Sequence, residues 1–582
     1  MLPKPEGCLG CPLYQDGKGF VPDRIPAGAE VLILAQNPGE GEEEGQRVVE
    51  YVGPKRHRTE PCEPQPMIGP TGYMMDKTFI PLAGLDREKV GVANVLRCRL
   101  IKDGKRTNNM PTGATYREAT AHCTSAHLRI PPSVRLIIAQ GAHAWRLLGG
   151  PFPKKTATNY KDDEAGGMSG WRGHLMPKRY GSAMVFGEDS PARPDVLATV
   201  HLAYLFKNAK MDLVTRKDWS KVPSILKGDW PKPIPPRVLL DAETFDLCQE
   251  WVEQAKKAPY IVLDTEYNEH TKHLILFGMG FLGMQFVFQV DWAHLAEDLH
   301  GFVLHWLHEL AGTTPFVFQN AMADVPILRA TFSLDWSDFL RLEDTMQAHA
   351  VLWCELPHDL EFQASVDGQY PKLKHLMHED MALYNAGDVL ETISSWEARL
   401  AEFARDPASR KVYDTQMRLL PHIDRAITVG IAVDKEKVAP AITKYEGRAD
   451  AGEGLARAYC GWPINLRSPA HMKHWLYEVE GMPVQKHPKT KKVTVEADAI
   501  ALLRGEYLPF DPKEEENPSA ERTLSRIDQG GHPLLEAYIL HARADHVLSH
   551  YLYPLVKKDA QDKPATSEMS PGAATPCEGL VQ

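Results

Sequence analysis

Three acidic stretches in the middle of the chain limit most tightly what it can fold into. Asp264-Thr-Glu266 follows the apolar run Tyr260-Ile-Val-Leu263, and Gln-Asn320-Ala-Met-Ala-Asp324 and Tyr384-Asn-Ala-Gly-Asp388 come later. Residues i and i+2 of a strand point to one face, so Asp264 and Glu266 present two carboxylates together. Tyr384 and Asp388 stand four apart in a helix-like stretch and also share a face. The fold must therefore bring a strand face and a helix face around as many as four carboxylates. Such groups repel one another unless cations lie among them. Oxygen ligands without Cys or His favour Mg²⁺ or Mn²⁺ over zinc.

At 582 residues the chain exceeds one hydrophobic core, and a multidomain α/β fold is expected. No apolar run reaches the roughly 18 residues of a membrane span, so no membrane partner is expected. The start, MLPKPEGC, lacks an apolar signal region. Nine unevenly spread cysteines do not form a secreted disulfide pattern, so a reducing cytoplasm is expected. The net charge of −11 is unevenly distributed. Residues 1–222 carry 31 Lys and Arg against 24 Asp and Glu, and the remainder 35 against 53. By charge alone the first part is the better phosphate binder.

Apolar strand-like runs alternate with helix-like segments over 1–222, as in Glu30 to Leu34, Val90 to Asn94 and Val134 to Ile138. That alternation predicts a layered α/β domain. Residues 223–236 are Pro-rich and read as a linker. A second α/β domain is expected over 237–408, a mostly helical one over 409–557, and a disordered tail over 558–582.

Cys8-Leu-Gly-Cys11 opens the chain, and Cys98 and Cys123 follow in the same expected domain. Four thiolates can hold zinc or an iron–sulfur cluster, and spacing leaves both open. Around them run Gln36-Asn37-Pro-Gly39-Glu40, Met67-Ile-Gly69-Pro-Thr-Gly72, Asn94-Val-Leu-Arg-Cys98, the stretch Pro132 to Gly141, Arg172-Gly173 and Thr199-Val-His201. In this order they resemble the family 4 uracil-DNA glycosylases over roughly residues 5–210. The resemblance implies a three-layer α/β domain with one [4Fe–4S] cluster on Cys8, Cys11, Cys98 and Cys123. It further implies that Asn94 reads the uracil edge, that His201 donates to the uracil oxygen, and that Asn37 orients water. Gln36 and Met67 would line the substrate. Met67 stands where the family has an aromatic, and Leu202 where it has Pro. Two basic inserts, Pro54-Lys-Arg-His-Arg58 and Lys102-Asp-Gly-Lys-Arg106, are expected as solvated loops, the alternative being loops that touch phosphates.

The acidic stretches resemble the DEDDy 3′–5′ exonucleases. That resemblance implies an RNase H-like domain in which Asp264, Glu266, Asp324 and Asp388 hold two Mg²⁺ or Mn²⁺. Tyr384 would orient the attacking water, and Asn320 would lie at the substrate. Asp344 falls at a non-ligand position of the family. The helical part, with Asn465-Leu-Arg-Ser468 and His532 to Leu552, resembles the start of a family A DNA polymerase thumb. No paired acidic motif for nucleotide addition follows, so no polymerase activity is expected from this chain. The combined resemblance implies DNA as partner, as single-stranded 3′ ends and uracil-containing strands, and a separate polypeptide carrying palm and fingers. The rival expectation is a non-catalytic, uracil-sensing first domain in a docking fragment of a split polymerase.

Overall fold

The computed structural model describes residues 1–53, 56–151, 170–187, 193–488, 490–507 and 519–556. The expected disordered tail lies outside the described residues. The chain forms two compact units, Met1–Pro421 and His422–Gln582.

The first unit holds two sheets. In the N-terminal one, β1 (Val31–Ala35), β2 (Gly91–Asn94), β3 (Leu136–Gln140) and β4 (Asp195–Thr199) are all parallel, in the order β4-β3-β1-β2. All five residues of β1 are buried, because a parallel sheet is covered on both faces. Leu32 and Leu34 face a core with Trp145 and Trp171; Val31, Ile33 and Ala35 face another with Phe79 and Trp219. Period-2 alternation thus splits one apolar run between two layers, giving the expected three-layer arrangement.

Both basic inserts depart from the expected loops. Gln46–Gly53 pairs antiparallel with Arg56–Pro61, and Leu100–Lys102 with Lys105–Thr107. We call these the first and second ribbons. Their charges hide a strand pattern, since the outer strand of the first ribbon is exposed throughout and only Val48 of its inner strand is buried. Between β1 and the first ribbon lies a short helix, α1 (Glu40–Glu44). Later come α2 (Gly113–His127) and α3 (Met211–Ser220).

The expected linker is packed rather than free. It begins inside α4 (Val222–Lys227), where Val222 and Ile225 are buried. Pro223 is tolerated there because it occupies the first turn. Further on, the Lys232 amide donates to the Gln369 carbonyl at 2.7 Å.

The second sheet is mixed. Its strands are β5 (Arg237–Leu239), β6 (Ile261–Tyr267), β7 (Leu274–Gly280), β8 (Val287–Asp291), β9 (Phe316–Phe318) and β10 (Leu342–Asp344), in the order β5-β8-β7-β6-β9-β10. Ile261, Leu263 and Phe277 pack on one face. Val262 and Val317 pack on the other against Val389, Leu390 and Trp396. The helices that matter for the sites are α5 (Ala321–Phe332), α6 (Leu360–Asp367) and α7 (Met381–Arg405).

The second unit is helical among its described residues. Helix α8 (Lys435–Cys460) lies against α9 (Pro533–Val547) over a core of Ala456, Leu476, Leu503 and Leu535. Contact is close at Gly452, where an added Cβ would stand 2.8 Å from the Ala537 carbonyl. No helix among the described residues is long and apolar enough to cross a membrane.

Candidate functional site

Asp264 and Glu266 leave β6 on the face that α7 covers. One carboxylate oxygen each of Asp264, Glu266 and Asp388 lies within 4.8 Å of the others. Asp324, on α5, is beside this triad but turned to Thr265, whose amide (3.1 Å) and hydroxyl both donate to it. The Tyr384 hydroxyl is hydrogen-bonded to Asp388. Asn385, between them in sequence, donates to the Asp264 carboxylate at 2.8 Å. It is held in turn by Gln289, which donates to its side-chain oxygen at 2.9 Å. Burial, then mutual repulsion, raises Asp264 well above the carboxylate range and Glu266 to about 8. Burial raises Asp324 and Asp388 to about 7. A site this rich in carboxyls either keeps protons or takes up cations at neutral pH.

Asn320 precedes α5 in the left-handed conformation (φ 68°), which Asn tolerates better than most residues. Its amide and that of Ala321 donate to Asp344 at 3.3 and 2.7 Å. Asp344 also receives the Gln347 amide at 3.1 Å and caps a helix, so its carboxylate is spent on backbone.

The second site lies at the carboxyl ends of β1 to β4, where open α/β sheets bind ligands. Asn94, Ala35, Gln140 and Thr199 form one row across the sheet. Asn94 is buried with its amide nitrogen unpartnered, and Gln140 is buried with neither amide atom hydrogen-bonded. Gln140 was not singled out from the sequence, where a lone Gln at a strand end carries no signal. His201 sits just beyond β4, and an added Cβ on Gly141 (φ 86°) would stand 3.1 Å from the His201 Cβ. The Ala203 amide donates to Nδ1 of His201 at 3.2 Å, which leaves the proton of the neutral ring on Nε2. Burial, then His143, lowers His201 to about 4, so it is neutral at pH 7.

Gln36 and Asn37 lie in the turn after β1, half-buried; the Gln36 amide donates to the Asn108 carbonyl at 3.4 Å. Met67 is buried with φ 58°. Gly72 makes room for that bend, since a Cβ there would meet the Met67 carbonyl at 1.9 Å. The turn and the Met67 segment are joined through Glu42 of α1. Its carboxylate accepts from the Gly39 and Met67 amides, both at 2.8 Å. Burial raises Glu42 to about 7.

Cys8, Cys11, Cys98 and Cys123 line one small cavity with Lys4, Arg97, His122 and His127. His127 Nε2 lies 3.2 Å from the Cys8 sulfur, and Arg97 donates to Cys123 at 3.7 Å. Burial pushes the Cys8 thiol up to about 11 and the Cys98 thiol to about 12. No three of these sulfurs come within 4.8 Å of one another. A single tetrahedral zinc with bonds of about 2.3 Å needs sulfurs nearer 4 Å apart.

Arg172 and Gly173, quoted with the glycosylase-like motifs, lie at a seam between the two sheets' layers. Arg172 pairs with Asp218 of α3 and donates to the Ser365 hydroxyl of α6. Lys221 donates to the carbonyls of Gly173 and Ser365, each at 2.8 Å. An added Cβ on Gly173 would stand 2.1 Å from the Ser365 carbonyl.

Open parallel α/β sheets bind their ligands at the carboxyl edge, where this one gathers Asn94, Gln140 and Thr199. Residues 22–223 match the family model of the Uracil DNA glycosylase superfamily. No curated protein matches the chain. Among solved structures, it is similar to the POL domain of Pol1 from M. smegmatis in complex with DNA primer-template and dNTP. Identity is 16% and the TM-score 0.40; the alignment covers 55% of this chain and 50% of that one.

Proposed function

We propose that this chain is a DNA repair and replication enzyme that joins uracil excision to 3′–5′ exonuclease activity. The observation that carries the nuclease reading is the convergence of Asp264, Glu266 and Asp388 beside Tyr384, from a strand and a helix over 100 residues apart. These carboxylates and Asp324 suit two Mg²⁺ or Mn²⁺, which supply water activation and charge stabilisation at the leaving 3′ oxygen when bound. The chain's own part is positional. Asn385 fixes Asp264, and the Tyr384 hydroxyl, tied to Asp388, would orient a water at the scissile phosphate. With Mg²⁺, the protein should shorten a 3′-labelled single strand, and Asp264→Ala should remove that activity. Unchanged digestion by the variant would sink the assignment.

The superfamily match supports the glycosylase reading. Glycosylases read the extruded base in a pocket, and Asn94 and Gln140 keep unpartnered amide atoms at the sheet's carboxyl edge. As the bond from the sugar to the base breaks, its electron pair passes to the uracil ring. The neutral His201 donates Nε2–H to the oxygen that gains charge, and Asn37 orients the water that attacks the sugar. The four thiols line one small cavity, as one [4Fe–4S] cluster needs, and this is the cofactor that the glycosylase reading takes. Brown protein with iron and sulfide, lost in Cys8→Ser, is the expected result; stoichiometric zinc without iron would overturn it.

A second reading is favoured by Met67, which occupies the place of a stacking aromatic. The first domain would then sense uracil without excising it, and a separate polymerase polypeptide would act on the strand. Tighter binding of uracil-containing than thymine-containing DNA, without abasic product, would select it.

A further inference from the structure

We propose that the two basic ribbons form a clamp for the phosphate backbones of double-stranded DNA on either side of the Gln36–Gly39 turn; this deepens the glycosylase reading and rests on it. Both ribbons are rooted on the same short helix. Glu42 of α1 ties the turn to Met67, and the first ribbon is stitched to that assembly by two backbone bonds. Val48 donates to Ile68 at 2.8 Å, and Cys62 to Gly45 at 2.9 Å. Glu43, the next residue, takes the second ribbon. It accepts from Arg106 at 2.7 Å and from Arg99 at 3.5 Å. Adjacent helical residues point about 100° apart, so the buried pair Glu42 and Glu43 ties the two ribbons to α1 in different directions.

The arms themselves have little to pack on. Every residue of Arg56–Pro61 is exposed, and an isolated two-stranded ribbon is marginally stable by itself. Buried carboxylates fix the roots, and the outer strand is exposed at every residue. Arg58 is answered by Glu50 and Glu60 at 3.4 and 3.6 Å. Arg56, Lys102 and Lys105 are exposed and form no ion pair among the described residues. They give both arms uncompensated positive charge in a chain whose net charge is −11. A base extruded into the pocket leaves two flanking stretches of duplex to be held. Cations on paired arms meet phosphates on both sides, which fixes position without reading sequence.

The test uses the full chain with Asp264→Ala to silence digestion. Binding of a fluorescent uracil-containing duplex is followed by anisotropy from 50 to 200 mM salt. Each phosphate contact contributes about 0.9 to the slope of log affinity against log salt. The variant Arg56→Ala/Lys102→Ala/Lys105→Ala should lower that slope by roughly two to three and weaken binding about tenfold or more at 50 mM salt. Its fold should be unaffected, as judged by circular dichroism. A control removing three exposed cations elsewhere, Lys227→Ala/Lys257→Ala/Lys411→Ala, should leave the slope unchanged. An unaltered slope in the ribbon variant, or an equal loss in the control, would overturn the clamp. If the parent excises uracil from a short single strand while the ribbon variant binds duplex normally, the clamp falls and the glycosylase reading stands. A parent protein that neither excises uracil nor binds either DNA removes both.

Discussion

Asn385 acts through another side chain. It neither belongs to the acidic triad nor faces solvent, yet it holds Asp264 and is held by Gln289. Loss of such a supporting bond to a metal ligand typically costs 10- to 100-fold. Asn385→Ala should therefore lower kcat of the proposed exonuclease by about that factor. KM for a short single strand should hardly move, and the variant should require more Mn²⁺. His201 gives a prediction in pH. Its pKa is depressed to about 4, so it remains a neutral donor well below pH 6.5. The excision-rate ratio of the parent to His201→Ala should stay level between pH 8 and 5 and change only nearer 4. The same shift makes folding lose stability as pH falls from about 6.5 towards 4, because the unfolded imidazole takes up a proton that the folded one refuses. The titratable triad was legible because residue types and spacing named it. Glu42 and Glu43 were not, since Gly-Glu-Gly-Glu-Glu-Glu-Gly has the composition of a solvated surface turn, and only burial sets two of its carboxylates apart.

At the scale of elements, the acidic site depends on how closely α7 approaches β7. Gly278 permits it: a Cβ there would lie 2.1 Å from the Asn385 side-chain oxygen. Gly278→Ala should push Asn385 away and cut nuclease activity at least about tenfold. Overpacking of this kind costs about 1–3 kcal/mol, so the protein should remain folded at 25 °C, read by chemical denaturation. Strands β1, β2 and β3 were visible in sequence because parallel strands are apolar throughout. The ribbons were not, since exposed strands escape the pressure that writes a pattern. Helix α4 was masked by its proline.

At the scale of the molecule, the two α/β regions of the first unit are sealed by buried charge. Arg172 and Asp218 are almost fully buried, and Lys221 bridges to Gly173 and Ser365. Removing one partner of a buried pair costs about 3–5 kcal/mol, because the other is left unpaired. Arg172→Ala should destabilise by about that amount, and calorimetry should show both regions weakened in one transition. A transition confined to the N-terminal region would contradict the seam. Sequence could not announce this, because Arg172-Gly173 carries the same letters whether it serves a pocket or a joint. The seam also bears on how such a gene can change. A crossover near residue 230 would hand each offspring half a lock: a buried guanidinium, carboxylate and ammonium bared on one piece, and the Ser365 hydroxyl and carbonyl left open on the other. Each half taken alone would carry the cost of a buried polar group left without its partner, so the joint favours inheritance of the two together.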